Sequence, residues 1–336
     1  MEAPPVQYVA TRDGWSIAYT VTGAGQPMIF FPPGFESVHT LWRYYPEWMR
    51  GLAARFRLIC FDARGEGLSQ RGLPEGLSLS DLGLDLEAVT DRFKDESFVF
   101  YACGARGHDA VRFALKNPGR VRAMIWNIAS IDNSAWPSAF FRDLSSQNWL
   151  LFLDALAGHS TSREERRMRA EDHAACVNLE DLQIFIRVQE VSSVEDELQA
   201  FRVPLLVLHP RDFPSLPVEE SMKVAARATN ARFVPIDGDI VYGDAGQGFA
   251  AIDDFIASLP ADEATSPASS EPAAGLSTRE IEVLRLVAAG RSNQQIADEL
   301  VISVNTVNRH VSNIYAKTGS ANRAEAATYA ARNGIV

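Results

Sequence analysis

The chain has 336 residues, 46% of them hydrophobic, and a net charge of −11, which suits two domains with a sizeable core in at least one. No run approaches the ~20 apolar residues of a membrane span. The first residues lack the basic and apolar stretches of a secretory leader, and three scattered cysteines (Cys60, Cys103, Cys176) without a CxxC pair argue against a disulfide framework or a zinc site.

These features fit a reducing cytoplasm and predict no metal, no cofactor and no membrane partner. Taken in chain order, "YVATRDGWSIAYTVT" predicts a β-hairpin around Asp13-Gly14. "PMIFFPPG", "FRLICFDARG", "ESFVFYACG", "VRAMIWNIAS", "VPLLVLHP" and the weaker "RFVPID" are short apolar runs rich in β-branched and aromatic residues. They predict buried strands of a mostly parallel sheet. Helical patterns such as "HDAVRFALKNP" lie between them, so the layers are α/β. From about 131 to 200 the alternation breaks into helical text rich in Trp, Phe and Leu, which predicts a lid inserted in the sheet topology. Within it, "SREERRMRAED" reads as a solvated helix face.

Residues 259–275 are rich in Pro, Ala, Ser and Glu. They cannot bury enough apolar surface to offset chain entropy and read as a flexible linker, spanning roughly 20–25 Å on average. After it the charge changes sign. Residues 276–336 hold seven Arg/Lys against five Asp/Glu, a balance of +2 that leaves −13 on residues 1–275 and predicts different partners for the two ends. Ser277-x-x-Glu280, Ser292-x-x-Gln295 and Asn322-x-x-Glu325 are capping-box patterns, and Ser303 caps a further helix. Gly290 and Gly319 stop helices. Leu284 and Val287, Ile296 and Leu300, then Val307, Val311 and Ile314 supply the apolar stripes of a small four-helix, all-α unit. Two of its helices, joined by the tight "VIS" turn, form a helix-turn-helix. The expected organisation is therefore a domain at 1–258, a linker at 259–275 and a second domain at 276–336.

Over about residues 6–258 the order of segments resembles the α/β-hydrolase superfamily. "FFPPGF" stands where the family has its His-Gly oxyanion loop, and "FDARGEGLSQRG" is close to its Asp-x-Arg-Gly-x-Gly-x-Ser turn. "VPLLVLHPRDFPSLPV" matches the strand and loop of the catalytic acid, and "ARFVPIDGD" the last strand. The family's nucleophile lies in G-x-S-x-G on a strained strand-to-helix turn. In "FYACGARGHDA" the resemblance puts Ala102, Gly104 and Arg106 in the Gly, Ser and Gly places. The acid place falls on Phe213, with Asp212 one residue early, and the base place on Asp239, no His lying between Arg211 and Arg309. Loss of nucleophile, acid and base removes the covalent route. The expected remainder is a cavity for a small, largely apolar or aromatic molecule, lined by Phe35, Cys103, Gly104, Ala105, Trp126, Phe213 and Asp239 with the lid aromatics Phe140, Phe141 and Trp149. Backbone N–H groups near Phe35 and Ala105 are expected to hold a ligand oxygen.

"LSTREIEVLRLVAAG", "SNQQIA", "ISVNTVNRHVSNIYAKTG" and "NRAEA" resemble the LuxR-type (GerE-type) DNA-binding domain. The resemblance implies that a helix of about 304–317 enters the major groove. Asn305, Asn308, Arg309, Ser312 and Asn313 project from the apolar stripe and suit base edges, Asn for adenine and Arg for guanine. Thr306, His310 and Lys317 suit phosphates or helix packing. Asn308 stands where the family usually has Lys. The modest +2 charge and the Ala-rich last helix imply a homodimer reading an inverted repeat. The expected function is a ligand-responsive transcriptional regulator that is not an enzyme. Two alternatives stay open: an active hydrolase with a fused DNA-binding domain, and a constitutive regulator whose first domain is only a dimerisation scaffold.

Overall fold

The computed structural model describes residues 3–94, 96–134, 138–156, 162–260, 278–300, 304–320 and 322–332. The chain divides into two compact units, Met1–Leu259 and Pro260–Val336. In the first, the hairpin forms as β1 (Val6–Ala10) and β2 (Ser16–Thr22), antiparallel with Val9 opposite Ile17. Then come β3 (Pro27–Phe31), α1 (Thr40–Tyr44), α2 (Pro46–Arg55), β4 (Arg57–Phe61), α3 (Leu79–Thr90), β5 (Phe98–Cys103), α4 (Arg106–Lys116) and β6 (Val121–Asn127). The expected helical insertion follows as α5 (Ser138–Gln147), α6 (Trp149–Leu156), α7 (Arg163–Cys176), α8 (Leu179–Glu190) and α9 (Glu195–Ala200). The unit closes with β7 (Leu205–Pro210), α10 (Val218–Arg227), β8 (Ala231–Ile236) and α11 (Ala245–Ser258).

The eight strands form one sheet in the order β1-β2-β4-β3-β5-β6-β7-β8, parallel from β4 onward. The period-2 pleat sorts each strand between two cores. In β5, Phe98, Phe100 and Ala102 face α3 and α4, while Val99, Tyr101 and Cys103 face α1, α2 and α11. Both faces are covered, which is why the strands read as continuous apolar runs. Phe31 pairs with Ala102, Cys103 with Asn127 and Asn127 with Leu208. Parallel strands held in this register end at one rim, and the loops leaving them meet there.

The second unit contains α12 (Thr278–Ala288), α13 (Asn293–Leu300), α14 (Val304–Thr318) and α15 (Arg323–Arg332). Of the expected capping boxes, that at Ser292 closes fully and that at Asn322 closes through a side-chain return bond. Gln295 N–H donates to Ser292 Oγ and Ser292 N–H to Gln295 Oε1. Glu325 N–H donates to Asn322 Oδ1, and Asn322 Nδ2 returns a bond to Glu325 Oε1. Ser277 and Ser303, also expected to cap, lie outside the described residues. Gly290 (φ 78°) and Gly319 (φ 68°) turn the chain in left-handed conformation where α12 and α14 stop. Val283, Leu284, Val287, Ile296, Val307, Val311, Ile314, Ala326 and Ala330 form the core.

Candidate functional site

At the rim, β5 runs into a sharp turn at Gly104, whose φ of +55° few side-chain-bearing residues adopt, and α4 begins two residues later. Gly104 N–H donates to Asn127 O at 2.9 Å, and the Trp126 indole N–H donates to Gly104 O at 2.8 Å. Below the turn, Gly107 lies against Trp126 so closely that a Cβ there would come within 1.9 Å of the indole. This close-approach glycine is one residue beyond the Arg106 that sequence matching put in the second Gly place. The chain thus makes a sharp strand–turn–helix bend whose tip, Gly104, carries no side chain.

Gly104 opens on a cavity of about 270 Å³. Phe35, Cys103, Ala105 and Phe213 line it as well, together with Ile128, Leu182, Phe185, Ile186, Ile240 and Val241. Phe35 (φ 76°) and Ile128 (φ 55°) are the two non-glycine residues with left-handed backbone among the described residues, and both are on its wall. Each such conformation costs roughly 1–3 kcal/mol and persists only where surroundings over-determine it. Phe35 is held by the lid, its ring 5.7 Å from Phe152 and 6.3 Å from His173.

Three expected lining residues are not on the wall. Trp126 is fully buried in the sheet core under α4, because its place in the pleat points it to that face. Asp239 is exposed to solvent, and its neighbours Ile240 and Val241 turn inward instead. Trp149 stacks on Phe152 at 5.4 Å inside the lid. The side chains of Phe140 and Phe141 lie outside the described residues. The Phe213 ring, on the cavity wall, lies edge-on to His209 at 6.4 Å.

The polar part of the wall was not legible in the sequence. Glu36, from the loop after β3, accepts from Thr40 Oγ1 at 2.9 Å and from Arg169 of α7 at 3.0 Å, and lies 3.4 Å from His173 Nε2. Burial pushes the Glu36 carboxyl up, but the bond and charge of His173 and the charge of Arg169 outweigh it and hold it below its ordinary range. Arg169 also donates to Tyr45 Oη and stacks on the Tyr44 and Tyr45 rings at 4.7 and 5.0 Å. The run "SREERRMRAED" is therefore only partly a solvated face: Arg167 and Glu171 are exposed, while Arg169 is buried on the cavity wall. Arg106 is paired with the buried Glu66 and lies over the Phe185 ring at 4.6 Å. Asn133 and Gln189 complete the polar wall. Cys103 is buried, and burial pushes its thiol up to about 12, against a small opposing effect from the Asn127 amide. A thiol in that range supplies almost no thiolate at neutral pH.

On α14, Val307, Val311 and Ile314 are buried, while Thr306, Asn308, Arg309, Ser312 and Asn313 are exposed on the opposite side. His310 is half-buried. The side chain of Asn305 lies outside the described residues. Lys317, expected to suit phosphate or packing, ion-pairs at 2.7 Å with Glu280 of α12, whose carboxylate is buried. Asn308 accepts from Asn293 Nδ2 of α13 at 2.8 Å, and Asn293 Oδ1 in turn accepts from Arg323. Among the described residues no helix is long and apolar enough to cross a membrane, and no group of three His, Cys, Asp or Glu is placed to hold a metal ion.

Comparison with known proteins separates the two units. The family of bacterial regulatory proteins of the LuxR type matches residues 274–330, and the α/β hydrolase fold matches residues 27–156. The transcriptional regulatory protein LiaR of Bacillus subtilis is 43% identical over 65 residues, 19% of this chain and 31% of that protein. LnrK of the same organism is 45% identical over 60 residues, 18% of this chain and 27% of that protein. The chain thus spans about a third of the length of the curated regulators it matches. A hydrolase from Pseudomonas aeruginosa superposes with a TM-score of 0.62 at 22% identity, covering 76% of this chain and 99% of that one. The enol-lactonase from Burkholderia xenovorans gives 0.62 at 16% identity over 75% of this chain and all of that one. At such identities the likeness is one of fold. The chain carries an α/β-hydrolase-fold domain followed, at residues 274–330, by a helix-turn-helix domain of the LuxR family of bacterial regulatory proteins.

Proposed function

We propose that the protein is a ligand-responsive, DNA-binding transcriptional regulator of bacterial type whose hydrolase-fold domain holds a small molecule without hydrolysing it. The observation that carries this reading is Gly104: the strained turn is kept, opens on the cavity, and has no side chain to attack with. Acyl transfer needs a nucleophile and a base within hydrogen-bond reach of one another. The neighbouring Cys103 is held as a thiol, and the base's place is a solvent-exposed aspartate. The LuxR-type domain binds DNA with the exposed side of α14, where Arg309, Ser312 and Asn313 meet base edges. Lys317, tied to Glu280, shapes the helix packing rather than reaching phosphate. Binding to an inverted repeat as a homodimer follows from two-fold symmetry, and a chromosomal operator puts its work in the cytoplasm. Ligand changes DNA affinity only if it prefers one state of the protein over another.

The test uses the full chain. Small molecules released from the purified protein are identified by mass spectrometry and added back in thermal-shift and operator-binding assays. The expected result is a bound compound that raises the melting temperature by mass action and changes operator affinity, with chromogenic esters hydrolysed no faster than in buffer. Ester turnover by the purified chain, whether or not it survives Cys103→Ala, would leave the enzyme reading standing and remove this one.

A further inference from the structure

The cavity's polar atoms constrain what it takes, if it is a ligand site as proposed above. Its charged groups face counter-charges within the protein, although Arg169 Nε and His173 Nδ1 are themselves buried with no hydrogen-bond partner among the described residues. The two arginines on the wall, Arg106 and Arg169, are each paired with a buried carboxylate, Glu66 and Glu36. His173 lies on the same Glu36 oxygen as Arg169. An ionised ligand brings a charge whose natural partners are engaged, and an uncompensated buried charge is strongly disfavoured.

Two neutral groups, bonded to one another, are half-engaged as well. Asn133 Nδ2 donates to Gln189 O at 2.7 Å and to Gln189 Oε1 at 3.4 Å. That leaves Asn133 Oδ1 and Gln189 Nε2 buried with no partner among the described residues. Both residues are more than nine-tenths buried and both line the cavity. Because their amide groups bond to one another, the open acceptor and the open donor belong to adjacent groups. Buried polar atoms in native structures are nearly always satisfied, and leaving one open costs about as much as a lost hydrogen bond. The group that answers an adjacent amide oxygen and amide N–H is one with a donor and an acceptor side by side. The rest of the wall is aromatic and aliphatic, with Phe35, Phe185 and Phe213 prominent.

We infer that the cavity binds an uncharged, mainly aromatic or alicyclic molecule carrying a carboxamide-type group, and that this group docks on Asn133 and Gln189. Binding of 2-naphthamide, 2-naphthoate and methyl 2-naphthoate to the full chain, read by calorimetry, tests it. The three share one apolar frame and differ only as neutral donor-acceptor, anion and neutral acceptor. Naphthamide is expected to bind at least tenfold more tightly than naphthoate. Gln189→Met, which keeps the length of the side chain and removes its N–H, is expected to weaken naphthamide about fivefold and leave the methyl ester unchanged. Naphthoate binding as tightly as naphthamide overturns the inference and leaves the ligand-binding reading intact. Equal binding of all three, as ordered water on the two amides would give, overturns it in the same way. An undiminished amide preference in Gln189→Met shows that the group docks elsewhere and overturns the assignment to this pair. No binding of any of the three at millimolar concentration overturns the inference together with the reading it rests on.

Discussion

The cavity of the hydrolase-fold unit is walled by residues as distant in sequence as Phe35, Gly104, Arg169, Gln189 and Val241. The candidate DNA-reading surface is one side of one helix, from Thr306 to Asn313. The first exists only when loops from the ends of β3, β5, β6, β7 and β8 and helices α7 and α8 of the lid converge. The second is present as soon as α14 is folded with Val307, Val311 and Ile314 inward. A dispersed site takes its residues from many elements, so its chemistry depends on the packing of all of them. A contiguous site carries its frame and its exposed residues on the two sides of one helix, and each side can be altered without the other.

The contrast is broken most strongly by Gly107→Ala. The added methyl would lie 1.9 Å from an indole that is itself fully buried and bonded to Gly104 O. A loss of more than about 4 kcal/mol is expected, a fall of roughly 10 °C or more for a unit of this size. Calorimetry of the full chain should show the transition of the hydrolase-fold unit lowered or absent while that of the helical unit stays in place. A single transition that moves as a whole would mean the two units do not fold independently.

Acid should separate wild type from His108→Gln through the hydrolase-fold unit. His108 is buried in α4, 2.7 Å from Ser192 Oγ and 3.0 Å from Ser130 O. Burial holds its pKa at about 4, against a small upward effect of the Ser130 carbonyl. Unfolded, it titrates near 6.5, so the unfolded chain takes up a proton that the folded one refuses until about pH 4. The stabilisation is present above pH 6.5 and is lost as pH falls toward 4. The advantage of wild type over His108→Gln should shrink by about 3 kcal/mol between pH 7 and pH 4, as read by urea unfolding. A difference that stays constant with pH would show that the imidazole is not held neutral.

Arg309→Ala should cost about 1–3 kcal/mol of sequence-specific DNA binding, roughly fivefold to 150-fold, without altering the melt of either unit. Arg309 is exposed and on the side of α14 opposite its core residues, so nothing in the fold depends on it. Unchanged discrimination between an operator and random DNA would move the reading surface elsewhere.

The smallest expected effect is on turnover by Gly104→Ser, namely none. On the proposed reading, a hydroxyl introduced at Gly104 has Phe213 in the acid's place and the solvent-exposed Asp239 in the base's. Serine without a positioned base is a poor nucleophile. Burst kinetics with a chromogenic ester should stay at the buffer rate. Rapid acylation of the new serine would show that the base survives somewhere on the cavity wall.

Local rules were enough for a large part of this molecule. The strands of the first unit, the hairpin at Asp13-Gly14 and the two described capping boxes are written in stretches of five to fifteen residues, because apolar runs, turn glycines and caps act over one strand or one helical turn. The sharp turn at Gly104 was legible for the same reason: strand, glycine turn and helix are consecutive. Direction and partnership were not legible. Trp126 and Cys103 lie on strands whose alternation sends one side chain to each face, and only the packed sheet shows that Cys103 reaches the cavity while Trp126 supports α4. Asp239 and Ile240 are neighbours in one loop, and the fold turns the apolar one inward. Arg169, in a run that reads as solvated, is buried because Glu36 waits 133 residues upstream to neutralise it, and Lys317 is engaged because Glu280 is 37 residues away. A buried charge is tolerable only beside its counter-charge. Which residues become neighbours across such distances is settled by the packing of the sheet, lid and helices, so the polar half of the site exists only in the tertiary structure.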